Sequence, residues 1–154
     1  LQDAVDETWA AARLAQVTFA LVATQPAAVR GDRGLLARAV INLLRNAIRH
    51  APAGSTVQVE LEAARPRHEI RVIDAGPGVD ADTRARLFAR FQRGPSTPRE
   101  RAMTGHPAAT GHGLGLALVR VVATRHGGEA GVRDRRDGRG GSEFFLRVAA
   151  AEDP

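Results

Sequence analysis

Asp74-Ala75-Gly76-Pro77-Gly78 is the stretch on which the reading of this chain turns. It ends the run Glu69-Ile70-Arg71-Val72-Ile73, whose alternation predicts a strand. A carboxylate at the end of a buried strand costs free energy unless a partner meets it. Two glycines close behind remove Cβ atoms where a backbone turns sharply or a ligand comes near. Pro77 between them fixes one φ and stiffens the turn. Taken alone, the same residues suit an ordinary turn. The segments on either side change that balance.

Upstream, Asp32 is a good N-cap for a helix predicted over Arg33 to Ala51. Leu36, Val40, Leu43, Leu44, Ala47 and Ile48 form its apolar stripe. Beside that stripe run Asn42, Asn46, Arg49 and His50, spaced i, i+4, i+7 and i+8. Asparagine is a poor helix former, so two of them one turn apart on the border of the buried face suggest a polar task, with satisfied boundary amides as the alternative. Thr56 to Ala63 alternates as a strand with Val57, Val59 and Leu61 on one face, and pairs as a hairpin with His68 to Ile73 across Arg65-Pro66-Arg67. Earlier still, Gln2 to Leu14 has helical spacing. Val17 to Val22 reads as a strand, with Ala28-Val29-Arg30 as its possible hairpin partner.

Downstream, Asp82 is the expected cap of a short helix through Leu87 and Phe88. Phe88 and Phe91 suit anchors that pin a loop to the core. Periodicity then disappears from Gly94 to Thr110, a long Pro-, Thr-, Gly- and Arg-rich stretch of the kind that forms lids or disordered segments. Gly111-His112-Gly113-Leu114-Gly115-Leu116 closes it and opens a helix to about Arg125, stopped by Gly127-Gly128. A strand over Glu129 to Arg133, a charged Gly-rich turn over Arg135 to Gly141, and a last strand over Glu143 to Val148 behind Ser142 complete the chain.

Composition removes whole classes of chemistry. No cysteine means no disulfide framework, thiolate zinc site or cysteine nucleophile. No lysine means no Walker-A phosphate loop, no protein-kinase strand lysine and no Schiff base. The net charge of +5 is carried by arginine, dispersed except for Arg133, Arg135, Arg136 and Arg139. With few aromatics to stack bases, nucleic acid is not the expected partner. No run is long enough to span a membrane, and no signal peptide is expected within these residues. The 154 residues suit a single domain, and a start at Leu1 rather than Met suggests excision from a longer protein.

An Asn ladder on a helix, Asp-x-Gly-x-Gly after a strand, Gly-x-Gly-x-Gly before a helix, and Gly-Gly-Ser before a last strand are individually weak. In this order they resemble the N, G1, G2 and G3 boxes of the GHKL (Bergerat) ATP-binding fold, with Leu87 to Arg93 as an F box. That superfamily includes DNA gyrase, heat-shock chaperone and mismatch-repair ATPases, and histidine kinases. The chain is most similar to the catalytic domain of bacterial two-component sensor histidine kinases, over nearly its whole length. The resemblance implies an α/β two-layer sandwich: a mixed, largely antiparallel sheet of about five strands under three main helices, with a mobile ATP lid over about residues 92–112.

It also implies roles. Asp74 would accept from the adenine amino group, which guanine lacks, with Gly76, Gly78 and Val79 around the base and Ser142 holding a water. Asn46 would offer an oxygen to Mg²⁺, Asn42 would hold a metal-bound water or the lid, and Arg49 and His50 would lie near phosphates and ribose. Gly113 and Gly115 would present backbone N–H groups to phosphate at a helix start, with Gly111, His112, Leu114 and Leu116 beside the same nucleotide, and Arg93 would add charge at the γ-phosphate. ATPases of this fold carry a Glu general base where Asn42 stands. Asn accepts no proton at neutral pH, so the site would bind Mg-ATP without activating water, as a kinase requires.

No phospho-acceptor is expected here. His68-Glu69 lacks the proline five positions after the histidine, and His106, His112 and His126 have no such context. The acceptor histidine is therefore expected on a helical dimerisation domain upstream, with a response regulator as further partner. The fragment is expected to be a cytoplasmic monomer, and its parent a homodimer anchored in the bacterial inner membrane. Two alternatives remain at this level: a serine kinase of the anti-sigma-factor type, and a non-catalytic module whose lid responds to nucleotide.

Overall fold

A computed structural model describes residues 1–23, 26–89 and 114–151. Helix α1 (Gln2–Leu14) leads into β1 (Thr18–Ala23), α2 (Arg33–His50), β2 (Thr56–Glu62) and β3 (Arg67–Asp74). A short α3 (Ala81–Arg86), then α4 (Gly115–Arg125), β4 (Ala130–Arg133) and β5 (Ser142–Ala149) follow. The sheet runs β1-β2-β3-β5-β4, parallel only between β1 and β2. The mixed two-layer α/β sandwich expected from the resemblance is the architecture found.

Helix α2 forms the middle of the core. Asp32 caps it as expected, its Oδ1 accepting from the Leu35 N–H at 3.0 Å. Val40, Leu43, Leu44, Ala47 and Ile48 of its stripe are buried. They pack in one cluster with Val57 and Val59 of β2, Val72 of β3, Phe144, Leu146 and Val148 of β5, and Val119 and Val122 of α4. Phe88 is the anchor the sequence suggested: it is buried, with its ring 6.4 Å from that of Phe144. Phe91, with the whole of the expected lid, lies outside the described residues. Among the described residues no helix is long and apolar enough to cross a membrane.

Two expectations are corrected. β1 has no hairpin partner at Ala28–Arg30; it pairs in parallel with β2, Thr18 opposite Thr56. The 28–30 stretch is not a strand, and the carbonyl of Ala28 instead accepts from the Ala151 N–H at 2.8 Å and contacts His68 Nε2 at 3.1 Å. The cap of α3 is Asp80, not Asp82: Asp80 accepts from the Thr83 N–H at 2.9 Å and from its hydroxyl at 2.6 Å. Asp82 falls inside the first turn, where a carboxylate still favours the helix dipole.

His126, passed over from sequence as a phospho-acceptor, ties two helices together. Its Nδ1 is 2.7 Å from the Val122 carbonyl, and its Nε2 accepts from the Asp32 N–H at 3.2 Å. The C-terminus of α4 is thereby fixed to the N-cap of α2.

The sheet face away from the helices is closed by ion pairs. Glu69 receives Arg133 at 2.6 Å, Arg136 at 3.0 Å, Arg147 at 2.5 Å and Arg71 at 3.3 Å. Arg133 and Arg147 also lie over the Phe145 ring, 4.8 and 4.9 Å from its centroid. Burial pushes the Glu69 carboxyl up, but hydrogen bonds from Arg133 and Arg147 outweigh it and hold the pKa at about 2, against an ordinary 4.5. A carboxyl depressed on folding stabilises above its unfolded pKa, and that stability is lost as pH falls through the folded value. Glu69→Gln is therefore expected to lower stability at neutral pH by about 2 kcal/mol, after allowance for solvent screening. The difference should close between pH 4.5 and about 2. Urea unfolding across that range measures it, and a gap independent of pH would refute the ion-pair account.

Candidate functional site

The end of β3 places Asp74 where two turns and the last residue of α2 meet. Its residue exposure is 1%. One carboxylate oxygen accepts from the Gly76 N–H at 2.7 Å, and the Ser142 N–H donates to the same carboxylate. Register explains the second bond, because Asp74 stands opposite Ser142 in the β3–β5 ladder. Burial pushes the Asp74 carboxyl above its ordinary range; the N–H groups of Gly76 and Ser142 and the charge of Arg135 only partly offset this. Two donors leave the carboxylate with unused acceptor capacity.

Gly76 needs its missing Cβ. A methyl there would sit 2.7 Å from the Asp74 Oδ1 and 2.8 Å from the His50 carbonyl. Gly78 adopts a φ of +81° and lies against the Gly141 carbonyl. Val79 is half-buried against the core, its carbonyl accepting from the Arg84 guanidinium at 2.7 Å. Asp74, Gly76, Gly78, Ser142 and the backbone of His50 are thus brought into one corner.

A second cluster forms where α4 begins. Asn42 of α2 points at Gly115: a Cβ there would lie 3.3 Å from the Asn42 amide oxygen. Leu114 precedes the helix and is exposed, while Leu116 packs on the core. Asn42, Asn46, Arg49 and His50 are all half-buried along α2, on the border the sequence indicated. Arg93, Gly111, His112 and Gly113 lie outside the described residues. Arg135, which reaches the carbonyl of Asp74, was not anticipated. Nothing in its spacing sets it apart from the arginines on either side.

The donor set fits nucleotide with its metal. Among the described residues no group of three or more His, Asp or Glu could hold a metal ion. A cation here would depend on amide oxygen and on the ligand's own phosphates, which suits Mg²⁺.

Comparison with known proteins agrees with the geometry. Residues 31–152 match the family model described as histidine kinase-, DNA gyrase B- and HSP90-like ATPase. The sensor protein IrlS of Burkholderia pseudomallei is 42% identical over 130 residues, covering 84% of this chain and 26% of that protein. The sensor-like histidine kinase SenX3 of Mycolicibacterium smegmatis is 36% identical over 154 residues, 100% of this chain and 38% of that protein. This chain therefore spans between a quarter and two-fifths of these relatives. Among solved structures, the mycobacterial sensor histidine kinase MprB superposes with a TM-score of 0.76 at 29% identity, covering 99% of this chain and 95% of that one. Full-length ShkA in complex with AMPPNP gives 0.75 at 27% identity, covering 99% and 30%. The chain belongs to the histidine kinase-, DNA gyrase B- and HSP90-like ATPase family, as a catalytic domain of the sensor histidine kinase kind.

Proposed function

We propose that this domain binds Mg-ATP and donates its γ-phosphoryl group to a histidine on a separate helical dimerisation domain. The observation that carries the reading is the spacing of the two clusters. His50 borders the Asp74 corner and Asn42 borders the start of α4, eight residues earlier on one helix. At 1.5 Å per residue they stand about 12 Å apart, which suits base at one end and phosphates at the other. Asp74 would read the adenine amino group with its spare acceptor capacity, flanked by Gly76, Gly78 and Val79, while Ser142 would hold a water. Asn46, assisted by Asn42, would supply oxygen to Mg²⁺. Arg49, His50, Arg93 and the N–H groups of the Gly111–Leu116 segment would meet ribose and phosphates.

The carboxamide of Asn42 cannot remove a proton from water at neutral pH. Bound ATP would therefore await an acceptor, and transfer would rest on positioning and charge stabilisation. In a longer protein this reading implies a homodimer held at the bacterial inner membrane, with the domain on its cytoplasmic side and a response regulator as the next recipient. The AMPPNP complex of ShkA and the similarity to the sensor protein IrlS and the sensor-like histidine kinase SenX3 support it.

Calorimetric titration with Mg-ATP and Mg-GTP, followed by addition of the parent's helical domain in trans, tests the proposal. ATP should bind at least about 100-fold more tightly than GTP, because guanine leaves the buried carboxylate facing a carbonyl. Labelled phosphate should then appear on the helical domain as an acid-labile phosphohistidine. Binding without transfer would overturn the kinase reading in favour of a nucleotide-responsive module. An acid-stable phosphoserine product would overturn the choice of histidine.

A further inference from the structure

Arg135 stands in the turn between β4 and β5, in none of the N, G1, F, G2 and G3 boxes. Its guanidinium is clamped by Asp137, with Nε to Oδ1 at 3.0 Å and Nη2 to Oδ2 at 2.5 Å. Nη1 donates to the carbonyl of Asp74 at 3.5 Å, and the Arg135 Cδ lies 3.0 Å from where a Cβ of Gly141 would be. The side chain is only 10% exposed, which is unusual for an arginine in a surface turn.

Around Asp74, α2 contributes the His50 carbonyl at Gly76, and β5 contributes the Ser142 N–H. The carboxylate next along β5, Glu143, is engaged by Arg133 and Arg136 in the network on the other face of the sheet. Among the described residues, the charged side chain acting on Asp74 is Arg135.

We propose that Arg135 is a positioning residue for the base-reading carboxylate: clamped by Asp137 and seated on Gly141, it holds the backbone of Asp74 and lends the buried carboxylate the positive charge that keeps it an acceptor. The inference rests on the nucleotide reading of Asp74. Protonation turns one of the two Asp74 oxygens into an O–H donor, and the adenine amino group is itself a donor, so binding favours the ionised form. Burial already favours the protonated form, and loss of a nearby cation favours it further. Removing Arg135 should therefore leave ATP affinity intact at alkaline pH and move its acid limb upward.

The test combines calorimetric ATP binding from pH 5 to 9 with carbon-13 NMR titration of the Asp74 carboxyl in the nucleotide-free chain. Arg135→Met is expected to raise the Asp74 midpoint by about half a pH unit or more. ATP affinity should fall about threefold or more on the acid limb, with wild-type affinity above it. Arg135→Lys, which restores charge, should restore the profile. Should the Met variant fail to fold, Arg135→Gln keeps a donor for the Asp74 carbonyl without charge, and the same displacement is expected of it. Unchanged profiles in a folded, uncharged variant, with wild-type ATP binding intact, overturn this role for Arg135 and leave the nucleotide reading standing. Failure of the folded wild-type chain to bind ATP at any pH overturns both.

Discussion

Asp74→Asn is expected to weaken ATP binding by at least about 100-fold while leaving the domain at least as stable as wild type. The two halves of this expectation have one cause. Asp74 is 1% exposed and receives N–H groups from Gly76 and Ser142. An asparagine keeps one oxygen for such a donor, so the turn survives. Its NH₂ group, however, opposes the adenine amino group, donor against donor, in a site that water cannot easily repair. Burial raises the Asp74 pKa, so the charged form costs stability wherever it is populated. A carboxyl raised on folding adds most below its unfolded pKa and loses that contribution as pH rises through the folded value. The neutral variant escapes that loss. Its melting temperature should equal or exceed that of wild type at neutral pH, with the difference vanishing in acid. Calorimetry and thermal unfolding on the same preparations decide it: near-wild-type ATP affinity, or melting several degrees lower, would mean that Asp74 is a structural residue.

The legible parts of this site are those where one element carries both pattern and task. Helix α2 announces itself by its stripe and its Asp32 cap, and the polar border with Asn42 and Asn46 follows from the same periodicity. The β2–β3 hairpin is legible because Val57 and Val59 alternate toward the core and the connection is short. What escaped depends on pairing across long separations. The parallel partner of β1 lies beyond α2, and no local signal distinguishes it from a hairpin with Ala28–Arg30. Asp80 and Asp82 have equal intrinsic capping ability, and only the φ of −67° and ψ of 159° at Asp80 decide between them. Alternation indicates that Glu69 faces away from Val72, but not that four arginines converge on it from β3, β4, β5 and a turn. Arg135 and His126 belong to the same class: each acts on a residue more than sixty positions away, at Asp74 and Asp32 respectively.

Gly141→Ala is expected to destabilise the domain by on the order of 3 kcal/mol, lowering its melting temperature by about 10 °C, and to damage the nucleotide corner with it. Gly141 has a φ of +124°, where a side chain is strained whatever the space around it. A Cβ there would stand 2.0 Å from the Asp74 carbonyl oxygen and 3.0 Å from the Arg135 Cδ. The oxygen belongs to backbone in the β3–β5 ladder, where Asp74 opposes Ser142, so it cannot swing aside as a side chain would. Relief of the clash must move the two strands apart at the point where the Ser142 N–H meets the Asp74 carboxylate. Gly138 separates this effect from φ strain alone. It has a φ of +70° with nothing within 4 Å of a Cβ, so Gly138→Ala should cost only about 1 kcal/mol and leave ATP affinity unchanged. Denaturant unfolding and ATP titration of both variants make the comparison. If Gly141→Ala resembles Gly138→Ala in both measurements, the close approach of this turn to Asp74 is not what shapes the pocket. If it loses stability and ATP binding together, the last turn of the chain is part of the nucleotide site even though it adds no side chain at that point.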